Sequence, residues 1–202
     1  MNKLILIRHG EAEHLLHGMV GGWTDTQLTA LGREQARRTG EKLLHQLSNT
    51  PVYLLGSDLS RACETAEIIG AILNTKPVIV EDLRELNNGA AATLSKEEAE
   101  KLALPMTEPI IDWIPYPNAE SWRMMHTRLS NFMDKIALDN NEVVIIVSHS
   151  NAIIALIHWW LSFPPEMFNR SFDIQPCSIT HLRINEWQEK TIAKLNDTAH
   201  LD

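Results

Sequence analysis

Two arginines and two histidines of this chain stand where apolar runs end. Leu4-Ile5-Leu6-Ile7 leads into Arg8-His9-Gly10-Glu11, Val52-Tyr53-Leu54-Leu55 leads towards Arg61, and Val143-Val144-Ile145-Ile146-Val147 stops at Ser148-His149. A guanidinium presents paired N–H donors that suit a planar or multiply charged oxyanion, so the natural occupant of such a cluster is a phosphoryl group. An imidazole can attack phosphorus directly if it is neutral and its other nitrogen is held by a hydrogen bond. His9 is therefore the candidate nucleophile, with Arg8 and Arg61 neutralising the phosphoryl oxygens and His149 adding a donor. The backbone amides of Ser150 and Asn151 open a helix and are expected to point partial positive charge at the same spot. A leaving alkoxide also needs a proton, and Glu85 is the carboxyl group best placed to deliver it; Glu81, Asp82 and Glu11 are the neighbouring alternatives.

Positioning these groups requires parallel strands buried on both faces. Short runs rich in Val, Ile and Leu read as such strands, and open α/β sheets bind ligands beyond the strands' carboxyl ends. The first strand covers about 3–8, followed by a glycine-rich loop. Thr29 reads as the N-cap of a helix to about Leu47 that buries Leu31, Leu43, Leu44 and Leu47. Ser57-Asp58 reads as the cap of a second helix, with Ala62, Ala66, Ile69 and Leu73 along one stripe. Pro77-Val78-Ile79-Val80 forms a third strand that delivers Glu85 into a loop, and Ser95-Lys96-Glu97-Glu98 is a capping box. The proline-rich stretch from Leu104 to Asn118 could cover the pocket. Asn118 reads as the cap of a long helix that buries Trp122, Met125, Leu129, Met133 and Ile136. A helix from Asn151 to Leu161 follows the fourth strand, and a hairpin of 178–184 and 187–195 closes the chain.

The 202 residues, 44% of them hydrophobic, suffice for one sizeable core, so one domain over 1–202 is expected, with 86–120 as a lid or substrate-specificity insertion. A net charge of −8 without any Lys/Arg run argues against nucleic acid or an anionic membrane as partner. The apolar stretch 143–161 is interrupted by Ser148-His149-Ser150-Asn151, which argues against a membrane span. Cys63 and Cys177 stand far apart without a CxxC pair, so neither a disulfide framework nor a zinc site is suggested, and a reducing cytoplasm fits best. His14 and His17 read as loop residues rather than metal ligands, since no carboxylate or Cys pattern converges with them. Trp159-Trp160 reads as helix packing or as a subunit contact, the latter making a homodimer one partner state to expect.

The ordered set of motifs resembles the histidine phosphatase superfamily, also called phosphoglycerate mutase-like. It comprises Arg8-His9-Gly10-Glu11, Gly22-x-x-Asp25-x-x-Leu28-Thr29-x-x-Gly32, Ser57-x-Leu59-x-Arg61-Ala62-x-x-Thr65-Ala66, Leu83-Arg84-Glu85, Glu120-Ser121, Ser148-His149 and the ending Asn196-Asp197-Thr198-Ala199-His200-Leu201. The resemblance implies a phosphohistidine intermediate on His9, a phosphate pocket of Arg8, Arg61 and His149, an acid at Glu85, and neither metal nor cofactor. It also implies a three-layer α/β/α sandwich around a mostly parallel sheet with one antiparallel strand near Ser178. Three departures stand out. Leu15 replaces an Asn that family members often carry, Ser150 replaces the Gly that usually follows the second His, and Asn87-Asn88-Gly89-Ala90-Ala91-Ala92 replaces the usual aromatic-Glu-Gly pattern. The expected activity is metal-independent phosphomonoester hydrolysis on a small phosphorylated substrate. The rivals are a mutase and a catalytically silent phospho-ligand binding module; 86–119 carries only Lys96 and Lys101 as cations, which disfavours a bisphosphorylated or carboxylate-rich substrate.

Overall fold

A computed structural model of the chain describes residues 1–47, 50–137 and 143–202. Six strands form one sheet in the order β3-β2-β4-β1-β5-β6. They are β1 (Lys3–Arg8), β2 (Tyr53–Ser57), β3 (Val78–Val80), β4 (Val143–Ser148), β5 (Ile179–Ile184) and β6 (Lys190–Asp197). The first four run parallel, β5 pairs antiparallel with β1, and β6 pairs antiparallel with β5. The registers Arg8↔Ser148 and Gly56↔Val147 bring the carboxyl ends of β1, β2 and β4 level with one another. Arg8 and His149 therefore come to the same end of the sheet, with His9 directly after β1 and Arg61 in the first turn of the helix that follows β2.

Strand alternation divides the core in two. Leu4, Leu6, Val144 and Ile146 pack with Met125, Leu129 and Met133 of α5 (Trp122–Ala137) and with Ile153, Leu156 and Trp160 of α6 (Ser150–Leu161). Ile5, Ile7, Ile145 and Val147 pack on the opposite face against Leu43 and Leu47 of α2 (Ala30–Leu47) and Ala62, Ala66 and Ile69 of α3 (Ser60–Ile72). Burial on both faces explains why these strands carry unbroken apolar runs instead of alternating ones. Two short helices, α1 (Glu13–Leu16) and α4 (Lys96–Glu100), lie in the connecting segments.

Several local expectations are revised. Leu31 and Leu44 are 53% and 44% exposed, because α2 turns Gly32, Ala36, Thr39 and Gly40 inward instead. Small residues are needed there: a Cβ on Gly40 would come within 2.7 Å of the Ile72 side chain of α3. Thr29 does cap α2, accepting from the Gly32 amide. By contrast α3 is capped from a distance, with Asp25 accepting from both the amide and the hydroxyl of Ser60, rather than by Ser57-Asp58. The cap of α5 is Ser121, whose hydroxyl accepts from the Met124 amide, and Asn118 sits at φ 61 in the preceding turn. The capping box at Ser95 and Glu98 is formed. The final hairpin turns over Asn185 to Glu189, so its second strand begins at Lys190 and not at Trp187. No helix among the described residues is long and apolar enough to cross a membrane.

Candidate active site

A cavity of about 300 Å³ opens at the carboxyl ends of the parallel strands. Its walls include Arg8, His9, Arg61, Glu85, Ser150 and Asn151, together with His14 and Lys96. His149 lies directly behind, fully buried, with its ring centroid 5.1 Å from that of His9. The sheet edge thus brings together all seven residues proposed from the sequence. Of the four candidate acids, Glu85 alone lines this cavity; Glu81 pairs with Arg84 at the surface and Glu11 accepts from the Thr29 hydroxyl.

The hydrogen bonds determine the protonation of His9. Its Nδ1 lies 2.7 Å from the Gly10 carbonyl, which can only accept, so Nδ1 carries the proton and Nε2 presents its lone pair. The Arg61 Nε–H donates to that lone pair at 3.2 Å. Burial, reinforced by the positive charges of Arg61 and Arg8, holds the imidazole pKa well below 6.5 and keeps the ring neutral. The Gly10 amide donates to Thr65 Oγ1 on α3, which fixes the turn next to the ring. Gly10 also abuts Gly32 so closely that a Cβ would come 2.4 Å from the Gly32 carbonyl oxygen, and no larger residue fits.

Arg61 is 1% exposed and donates from its two terminal nitrogens to the Thr24 and Gly22 carbonyls, each at 2.7 Å. Desolvation pushes its pKa down to about 10, which leaves it charged at neutral pH. Gly22 adopts φ +58, a conformation that aims its carbonyl without side-chain strain. Arg8 donates to the Ile174 carbonyl, while its buried Nε has no partner among the described residues. His149 Nε2 pairs with the Ser57 hydroxyl, which also accepts from the Leu59 amide. With the hydroxyl proton given to Nε2, the His149 proton resides on Nδ1, another buried atom without a partner. The Arg8 Nε–H and, in that tautomer, the His149 Nδ1–H are thus donors without a partner among the described residues.

Glu85 departs from expectation in one respect. Its Oε2 accepts from the Asn151 amide and its Oε1 from the Ala152 and Leu86 amides, all at 2.9–3.1 Å. The opening turn of α6 thus holds the carboxyl group of Glu85, and the Asn151 amide is not free for phosphate as the sequence suggested. Coming from β3, the acid loop is bound to α5 by Arg128, which donates to the Asp82, Arg84 and Glu85 carbonyls and pairs with Glu120. Glu120 accepts in turn from the Asn87 amide, so the Glu120-Ser121 motif braces the acid loop and starts α5.

Leu86, Asn88 and Lys96 of the 86–120 segment line the cavity, whereas the proline-rich 104–118 stretch supplies no lining residue among those described. That stretch instead folds back on itself through the Leu104 amide and Pro115 carbonyl and pairs Asp112 with Arg123 of α5. His14 was missed as a pocket residue. It is 6% exposed, bonded through Nδ1 to Thr26 Oγ1, and 5.8 Å from His9 between ring centroids. The short stretch His14-Leu15-Leu16-His17 gives no periodic signal that would separate a buried imidazole from a solvated one.

Comparisons with known proteins agree with this architecture. The profile described as Histidine phosphatase superfamily (branch 1) matches residues 4–198. The probable phosphoglycerate mutase GpmB of Yersinia enterocolitica is 29% identical over 210 residues, covering 100% of this chain and 96% of that protein. The uncharacterized phosphatase PhoE of Bacillus subtilis is 35% identical over 158 residues, covering 78% and 76% respectively. Among solved structures, a putative alpha-ribazole-5'-P phosphatase from Escherichia coli superposes with a TM-score of 0.81 at 25% identity, over 97% of this chain and 96% of that one. A mycobacterial glucosyl-3-phosphoglycerate phosphatase complexed with VO3 gives a TM-score of 0.83 at 23% identity, over 98% and 100%, a likeness of fold.

Proposed function

The chain belongs to branch 1 of the histidine phosphatase superfamily, and from that premise we propose that it hydrolyses phosphate monoesters through a phosphohistidine on His9. The observation that carries this reading is the state of His9: a neutral ring on the cavity wall, with its proton held on Nδ1 by Gly10 and its Nε2 lone pair accepting from the Arg61 Nε–H, a hydrogen bond that is given up as Nε2 meets phosphorus. In the first step the Nε2 lone pair forms a bond to phosphorus as the bond from phosphorus to the leaving oxygen breaks. Glu85 gives that oxygen its proton. Arg8, Arg61 and His149 stabilise charge on the non-bridging oxygens, a role supported by the buried Arg8 Nε and His149 Nδ1, which have no partner among the described residues. In the second step water attacks phosphorus, Glu85 takes its proton, and the Nε2–phosphorus bond breaks to release phosphate and neutral His9.

Rapid-quench labelling with a radiolabelled substrate tests the nucleophile. The label should be acid-labile and base-stable, and absent from His9→Ala; label that persists in this variant would remove His9 from the role. Activity should also survive excess EDTA, since the charge stabilisation is assigned to side chains. Loss on chelation, reversed by a divalent ion, would refute that assignment.

A mutase is the second reading, favoured by the presence of Lys96 on the cavity wall, where an ammonium could meet a second anionic group on the substrate, and by relatives named as probable mutases. Assaying 3-phosphoglycerate conversion with and without 2,3-bisphosphoglycerate separates the two. The substrate class in either case is a small phosphorylated molecule whose leaving group reaches Leu86, Asn88 and Lys96.

A further inference from the structure

The mechanism above leaves His14 unused, yet the fold buries it in the cavity wall. The α1 segment and residues 26–28 run alongside each other, with Ala12 bridged to Leu28 and the Glu13 amide donating to the Gln27 carbonyl. This pairing sets Thr26, itself 8% exposed, beside His14, and its hydroxyl lies 2.9 Å from Nδ1. The opposite edge of the ring lies over Gly21, another cavity residue: a Cβ built there would be 3.3 Å from Cδ2 and 3.4 Å from Nε2. Nδ1 is thus occupied, while Nε2 has no hydrogen-bond partner among the described residues, and the residue lines the cavity. When Thr26 donates to Nδ1, the imidazole proton must reside on Nε2. Burial next to Arg61 and Arg8 lowers the pKa to about 4, so the ring is neutral, adds no third positive charge and, in that tautomer, is a donor.

We propose that His14 is a further substrate-contacting residue, its Nε2–H donating to a non-bridging oxygen of the phosphoryl group that His9 accepts. The inference rests on the hydrolase reading for its catalytic consequence, but not for the binding of an oxyanion. The hydrogen bond to Thr26 positions the ring, and Gly21 leaves it room. A donor aimed at the phosphoryl group, not at the leaving group, acts on every ester alike.

The test compares His14→Phe, which keeps a ring but no donor, with His14→Gln, whose amide can accept from Thr26 and still donate near the Nε2 position. For His14→Phe we expect kcat/KM to fall on the order of 10²-fold on both p-nitrophenyl phosphate and an alkyl phosphate. Inhibition by orthovanadate should weaken about tenfold or more in parallel, and His14→Gln should stay within about tenfold of wild type. Near-wild-type kinetics in His14→Phe, unchanged vanadate affinity, or a loss confined to the alkyl ester would each overturn the proposal. If His14→Phe does not fold, Gly21→Ala crowds the same ring edge, and unchanged vanadate affinity in that variant would count equally against it. Should wild-type protein hydrolyse neither ester and take no label on His9, the hydrolase reading fails on its own. Calorimetric titration of vanadate into wild type and His14→Gln or His14→Phe then still decides whether His14 holds the oxyanion.

Discussion

Acid should destabilise this protein at an unusually high pH, because the fold holds neutral imidazoles that the unfolded chain would protonate. His9 and His149 are 2% and 0% exposed, and burial among positive charges keeps both pKa values well below 6.5. The unfolded state therefore binds more protons than the folded state at every pH between the depressed folded values and the ordinary one. Stability from these groups is complete above 6.5 and is lost as pH falls below it. For one imidazole the loss on going from about pH 7.5 to about pH 5.5 approaches RT ln(1 + 10), roughly 1.4 kcal/mol, so the pair contributes about 3 kcal/mol. His14, His126, His158, His181 and His200 shift in the same direction through burial and add to the loss. Most carboxylates remain ionised over this range, so their own transitions intrude little. Urea unfolding followed by tryptophan fluorescence at a series of pH values measures the effect directly. The loss should shrink by about 1.4 kcal/mol in His9→Asn, whose side chain does not titrate. Stability that stays level between these pH values, or that rises in acid, would refute the neutral assignment of the two histidines.

Three further outcomes follow from named contacts. Glu85→Gln should slow alkyl phosphate hydrolysis by on the order of 10²–10⁴-fold and p-nitrophenyl phosphate hydrolysis far less, since only the alkoxide needs a proton to depart; equal losses would make Glu85 a structural or substrate-binding group. Arg61→Ala removes a buried charge from the proposed phosphoryl site and takes the guanidinium away from the Gly22 and Thr24 carbonyls. It should cost about 3 kcal/mol or more in kcat/KM, and a near-wild-type rate would place Arg61 outside the site. Gly32→Ala should destabilise the fold by roughly 2 kcal/mol or more in thermal or urea melts, because the new Cβ would lie 2.1 Å from the Glu11 carbonyl oxygen.

The parallel strands and the Arg8, His9, Arg61 and His149 quartet were legible in the linear chain, because a strand buried on both faces must be apolar throughout and a charged residue at its end has one direction to face. The capping box at Ser95 and the Thr29 cap were legible for a similar reason: both are satisfied within a few residues of sequence. Contacts that span the chain were not. Asp25 caps a helix 35 residues away, and Arg128 holds the Glu85 loop across more than 40 positions. Such pairings depend on where separate elements come to lie, and no local pattern encodes that. The same limit explains Leu31 and Leu44, which hydrophobicity assigned to the core and the close approach of α3 to Gly40 turned outward. It also explains the Asn151 amide, which helix polarity alone offered to phosphate and which the fold gave to Glu85. The types of chemical group at the sheet edge thus followed from sequence. The Arg61 contact to His9 and the burial of His14 beside Thr26 were decided by tertiary packing, because hydrogen bonding and desolvation of these rings depend on neighbours brought together only when the chain folds.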